Sequence, residues 1–252
     1  MTESAAPVRV IEETPAYWRV VFDYPPFNIV DATLFGDLQN LLARMDGSPS
    51  LRVVVFESAN PNFYLAHFDL TGKTGNITTA VGPSGLPILM DTFVRLTRSA
   101  VVSIAKIRGC VRGASSEFVL ACDMRFASRE YTRLGQPEVG VGVNPGGGGT
   151  ERLPLLVGRG RALEIVLGAN DFDGDTAEHM GMSTEHFPTP SWTASSTRSH
   201  AGSRHSTGVP SPPRRIWLTR SRCRPPTRCS TLSLPLRPRS RGLKRNGESK
   251  LC

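Results

Sequence analysis

The sequence predicts an α/β fold with largely parallel strand pairing, and three observations carry that prediction. Strand-like apolar runs alternate with helix-like periodicity, turn residues separate them, and no fixed-period repeat competes with the pattern. The segment "YWRVVFDY" (17–24) alternates apolar and polar residues like a half-buried strand. Leu34, Leu38, Leu41, Leu42 and Met45 then recur at helical spacing, with Asp31 as N-cap and Gly47 as the C-terminal stop. "LRVVVFES" (51–58) reads as a more fully buried strand. "VVSIAKIRG" (101–109) is another, followed by a small-residue turn and a helix that contains Glu117. "DMRFAS" (123–128) returns to strand, and "GRGRALEIVLG" (158–168) is helical again.

With 252 residues the chain has room for one large domain or two small ones. Its charge is unevenly divided. Residues 1–182 hold 16 Lys and Arg against 20 Asp and Glu, whereas residues 183–252 hold 14 against 2. The net charge of +8 therefore comes from the tail and is no nucleic-acid footprint of the folded part. The start "MTESAAPVRV" lacks the layout of a signal peptide, and no run reaches the roughly 18 apolar residues of a membrane helix, so a cytoplasmic protein is expected. Cys110 and Cys122 sit among apolar residues and are expected to be buried free thiols. Cys223, Cys229 and Cys252 show no zinc-ligand spacing, and no metal is expected.

Past residue 182 the character changes. The tail carries nine prolines, thirteen serines and twelve arginines, with no aspartate and no sustained period, which is the composition of a disordered segment. The predicted organisation is an extension over 1–14, a core over 15–182 and a disordered basic tail over 183–252.

"VGVGVNPGGGGTERL" (139–153) invites a nucleotide-loop interpretation. A P-loop needs Lys-Ser/Thr after its last glycine, and here Thr150-Glu151 follows; a dinucleotide fingerprint needs a glycine where Pro145 stands. The segment reads instead as a tight turn into a helix over 153–157, its glycines permitting close backbone approach. Two carboxylates stand out. Glu117 begins an apolar helix, and Glu138 follows the next strand in "GQPEVG". Buried in a core, each must be neutralised, hydrogen-bonded or used. An ion pair with Arg112 or Arg152 is the ordinary alternative to a catalytic pair.

Four segments in order, "FYLAHFDL" (63–70), "IRGCVRGASSEFVLACDMRFAS" (107–128), "LGQPEVGVGVNPGGGGTERLPLLVGRGRALEIVLG" (134–168) and "TAEHMG" (176–181), resemble the crotonase superfamily, the enoyl-CoA hydratase/isomerase family. The resemblance implies a ββα spiral core that binds acyl-CoA. It implies an oxyanion hole from the backbone N–H groups of Phe68 and Ala114. Contacts to the substrate would come from Phe68, Asp69, Leu70, Thr71 and Ala114, and acid–base chemistry from Glu117 and Glu138. The implied reaction is addition of water to an enoyl-CoA thioester, with coenzyme A entering only as part of the substrate. Isomerase or thioester-hydrolase chemistry is the alternative within the superfamily, and polyanion binding by the tail is the alternative outside it; no specific nucleic-acid or membrane partner is expected.

This sequence departs from the family in three places. His67 stands where most members have glycine and is expected to narrow the acyl pocket. Ala114-Ser115-Ser116 replaces a mostly glycine run, with Ser115 and Ser116 as candidate helix caps. The third departure is the tail. Shifting the codons of residues 182–192 by one base permits "YVNRALPDAEL", a natural continuation for the family, so the tail reads as an out-of-frame translation beginning near Gly181. The resemblance implies a trimer or hexamer built by terminal helices that the tail does not encode, and hence impaired activity.

Overall fold

The computed structural model describes residues 6–72 and 75–188, and every structural statement below refers to them. The chain opens with an antiparallel pair, β1 (Val8–Thr14) and β2 (Tyr17–Phe22). Helix α1 (Ala32–Gly47) follows, and then three successive turns of strand, strand, helix. These are β3 (Val53–Ser58), β4 (Phe63–Leu65) and α2 (Ile88–Arg98), followed by β5 (Val102–Ile107), β6 (Cys110–Arg112) and α3 (Ala114–Ala121). The third comprises β7 (Met124–Ser128), β8 (Arg133–Gly135), a 3₁₀ turn at Glu138–Val141 and α4 (Gly149–Val157). Helix α5 (Arg159–Gly168), β9 (Asp171–Asp173), α6 (Gly174–Met180) and β10 (Glu185–Phe187) complete the described part.

The first strand of each turn joins one sheet, ordered β1-β2-β3-β5-β7-β10, and the second joins another, ordered β4-β6-β8-β9. Pairing is parallel except at β1–β2 and β8–β9. This is the expected α/β class and the expected ββα spiral.

The physical reason for each element is local. Asp31 Oδ1 accepts from the N–H groups of Thr33 and Leu34, both at 3.0 Å, and so caps α1 as its sequence position predicts. Gly47 is the last helical residue and Ser48 closes the helix on the Met45 carbonyl, one position later than expected. β3 is apolar throughout because both of its faces are covered. Val54 and Phe56 enter the main core, whereas Val53 and Val55 join Ile104 and Phe126 on the opposite face.

Helix α3 is buried along its whole length, which its all-round apolar sequence requires. Its Phe118 meets Phe22, Phe56 and Phe93 with ring centroids 5.0–6.0 Å apart. This aromatic knot ties the helix to β2, β3 and α2.

Two expected boundaries change. The segment assigned to an N-terminal extension contains β1, which adds an antiparallel edge strand through its backbone. The tail expected to begin at 183 starts inside the fold: Glu185–Phe187 pairs in parallel with β7, and Phe187 packs on Phe126 at 5.9 Å. Three residues suffice because the free edge of β7 supplies the hydrogen bonds and Phe126 an apolar seat. The disorder expected for 189–252 lies outside the described residues. Among the described residues no helix is long and apolar enough to cross a membrane.

Replacing Phe118 by Ala empties the centre of the aromatic knot and is expected to cost about 3–5 kcal/mol of stability, measured by chemical denaturation.

Candidate active site

Parallel pairing of β4 with β6 brings the loop after β4 beside the start of α3. The loop is held by a bridge around Phe68. The Val30 N–H donates to the His67 carbonyl at 3.2 Å, and the Asp69 N–H donates to the Val30 carbonyl at 3.0 Å. A trans peptide directs its N–H opposite its C=O. With the His67 carbonyl turned toward Val30, the Phe68 N–H therefore points away from it. Asp69 then accepts from Thr71 N at 2.8 Å and Thr71 Oγ1 at 2.6 Å, which folds the segment 69–71 into a tight turn. Leu70 is exposed beside it.

At the start of α3, Gly113 adopts φ 59° and donates its N–H to the Gly135 carbonyl. Ala114 is the first helical residue, where an N–H has no intrahelical acceptor. The hydroxyls of Ser115 and Ser116 make no cap; both are buried without a hydrogen-bond partner among the described residues. The expected capping role is thus corrected: both side chains are packed into the core, and the cap position belongs to glycine. The helix N-terminus keeps a donor and a positive dipole end for an anionic oxygen.

Glu117 lies one turn into α3 and is 2% exposed. Its Oε1 accepts from Gly147 N at 2.7 Å and from Gly149 N at 2.9 Å. The glycine-rich segment read as a permissive turn is therefore the clasp of this carboxylate. A methyl group on Gly147 would lie 2.5 Å from Glu117 Oε2 and 2.8 Å from Phe93 Cε2, so only glycine fits there. Burial raises the Glu117 pKa, and the bonds from Gly149 and Gly147 and the charge of Arg152 hold the rise back. Neither expected ion-pair alternative forms. Arg112 binds Asp171 in a two-point pair, and Arg152 donates to the Gly147 carbonyl at 2.9 Å.

Glu138 opens the 3₁₀ turn after β8. Its pKa is raised to about 7, first by burial and then by the charge of Glu117, against an opposing bond from its own backbone N–H. A methyl group on Gly113 would lie 3.1 Å from Glu138 Oε1 and 3.8 Å from His67 Cβ. These contacts gather His67, Gly113 and Glu138 at one place, directly beside Phe68 and Ala114. His67 Nδ1 lies 2.8 Å from the Phe68 carbonyl, which can only accept, so Nδ1 carries the hydrogen.

The candidate site thus sets two backbone N–H groups, at loop and helix positions, beside one buried carboxyl, Glu117, and one half-buried carboxyl, Glu138, whose pKa is raised to about 7. Such an arrangement can stabilise an oxyanion and move a proton. The structure brings Phe68, Ala114, Glu117 and Glu138, the residues expected from the sequence, to one place, and sets beside Glu117 a residue the sequence did not single out, Gln136. That residue is fully buried with no partner on its amide among the described residues. Only its position two residues before Glu138 could have flagged it.

The family model "Enoyl-CoA hydratase/isomerase" matches residues 15–201, beyond the core boundary expected at 182. The chain belongs to the enoyl-CoA hydratase/isomerase family. It is 31% identical over 163 residues to YngF of Bacillus subtilis, provisionally named an enoyl-CoA hydratase/isomerase; the match covers 65% of this chain and 62% of YngF. The short-chain-enoyl-CoA hydratase of Clostridium acetobutylicum is 28% identical over 155 residues, covering 62% of this chain and 59% of that one. A crystal structure provisionally assigned as an enoyl-CoA hydratase from Streptomyces avermitilis superposes with a TM-score of 0.74 at 33% identity, covering 81% and 76% of the two chains. The chain thus spans about three fifths of these two curated relatives.

Because the folded state holds the Glu138 proton more tightly than the unfolded chain does, unfolding releases it between pH 4.5 and about 7. Stability therefore falls as pH rises through that window. Glu138→Gln is expected to melt higher than the parent at about pH 8, with the difference closing near pH 4; thermal melts across pH check this. Gly147→Ala is expected to melt lower than the parent at every pH because its methyl displaces the Glu117 carboxylate.

Proposed function

We propose that the site adds water across the double bond of an enoyl-CoA thioester. The observation that carries this reading is the pair of carboxyls with unequal acidity beside two backbone donors. In this scheme the thioester oxygen sits between the Phe68 and Ala114 N–H groups, which stabilise the enolate charge as it develops. Glu117, whose carboxylate is favoured by two N–H donors, holds water and takes its proton. Glu138, raised to about 7, gives a proton to the α-carbon. The acyl-CoA is bound along Phe68, Asp69, Leu70 and Thr71, and its remote contacts position the reacting carbons. The hydratase name of the Clostridium relative favours this reaction over isomerisation.

Activity of this chain as it stands is expected to be weak. Val141, Leu155 and Leu167 are exposed, with Leu155 at 82%, which is apolar surface that terminal helices would cover in the family. Purified protein that is trimeric and fully active on crotonyl-CoA would contradict that expectation.

Glu117→Gln and Glu138→Gln are each expected to lower hydration of crotonyl-CoA by about 10²–10⁴-fold while leaving thioester binding within a few-fold. Steady-state rates with binding titrations check this, and a variant at parental rate would rule its residue out. His67→Gly is expected to improve kcat/KM for longer acyl chains relative to crotonyl-CoA, because it removes the side chain that walls the site beside Gly113.

A further inference from the structure

Several buried side-chain nitrogen and oxygen atoms have no hydrogen-bond partner among the described residues. They include Ser115 Oγ and Ser116 Oγ on α3, both amide atoms of Gln136, and Glu138 Oε2. A buried polar atom left unpaired is costly, so each calls for an explanation. Gln136 is the most extreme member, since it is 0% exposed and brings two donors and an acceptor into the protein with none of them used.

Its position is specific. A methyl group on Gly149 would lie 2.6 Å from Gln136 Nε2 and 3.2 Å from Glu117 Oε1, so those two atoms are less than about 6 Å apart. They are not directly bonded. Gly149 N already donates to the same Oε1. The Gln136 amide thus lies on the side of the carboxylate that the glycine clasp holds. Arg152, the nearest cation, is turned to the Gly147 carbonyl.

We propose that Gln136 is a positioning residue for Glu117: its buried amide donates through one ordered water to the Glu117 carboxylate and holds it ionised and aligned. A core amide kept only for packing would be replaceable by a side chain of the same shape. One that supplies a hydrogen bond to a carboxylate is not, because removing the donor disfavours the charged form. The inference rests on the proposed reaction only for its kinetic consequence; the protonation of Glu117 can be measured without any turnover.

The test is a carbon-13 NMR titration of side-chain-labelled glutamate in the full chain, with the Glu117 resonance assigned by its loss in Glu117→Gln. Gln136→Met keeps the length and removes the amide, and is expected to raise the Glu117 midpoint by about one pH unit. Gln136→Glu keeps the shape and puts a carboxyl in place of the amide, and is expected to raise it further. A midpoint unchanged in whichever variant folds, judged by its amide spectrum, overturns the proposal. If crotonyl-CoA is not hydrated but the midpoint moves, the proposed reaction fails and the positioning role stands. If crotonyl-CoA is hydrated and the midpoint stays, the reverse holds.

Discussion

One buried carboxylate organises this protein. Glu117 enters the core on a helix with no exposed face, where an unpaired charge would cost far more than a domain's marginal stability allows. Two N–H groups of the glycine segment meet Oε1 instead of a cation, and the segment reaches it only because position 147 carries no side chain. The helix, the glycine loop and the aromatic knot under Phe118 therefore stand or fall together. A charge held by amides stays available for chemistry; a charge locked to an arginine does not.

The spiral of strand pairs brings this local solution to the other candidate residues. Each turn sends one strand to the large sheet and one to the small sheet, so the loops after β4, β6 and β8 emerge near one another. The first carries Phe68, the second leads to Ala114, and the third carries Glu138. No single element contains the candidate site. Its placement depends on the parallel pairing of β4 with β6 and of β6 with β8.

Much of this was legible in the sequence, for identifiable reasons. α1 announced itself through leucine spacing and an aspartate cap, and Glu117 through its conflict with an apolar helix. β1 escaped because an edge strand with one wet face looks like an extension. α2 escaped because it begins at Pro87 without a side-chain cap, although Leu89, Phe93 and Leu96 lie at helical spacing. Gln136 was illegible: glutamine is ordinarily a surface residue, and its burial against Gly149 is a tertiary contact no local pattern encodes. The serines at 115 and 116 misled because capping chemistry and core packing use the same small residues.

The division of labour between the two carboxyls is the centre of the account, and infrared difference spectroscopy measures it most directly. A protonated-carboxyl band that disappears with a midpoint near pH 7 should be present in the parent, retained in Glu117→Gln with a lower midpoint, and absent in Glu138→Gln. If that band is instead lost in Glu117→Gln and survives in Glu138→Gln, the proton resides on the other carboxyl and the account is wrong.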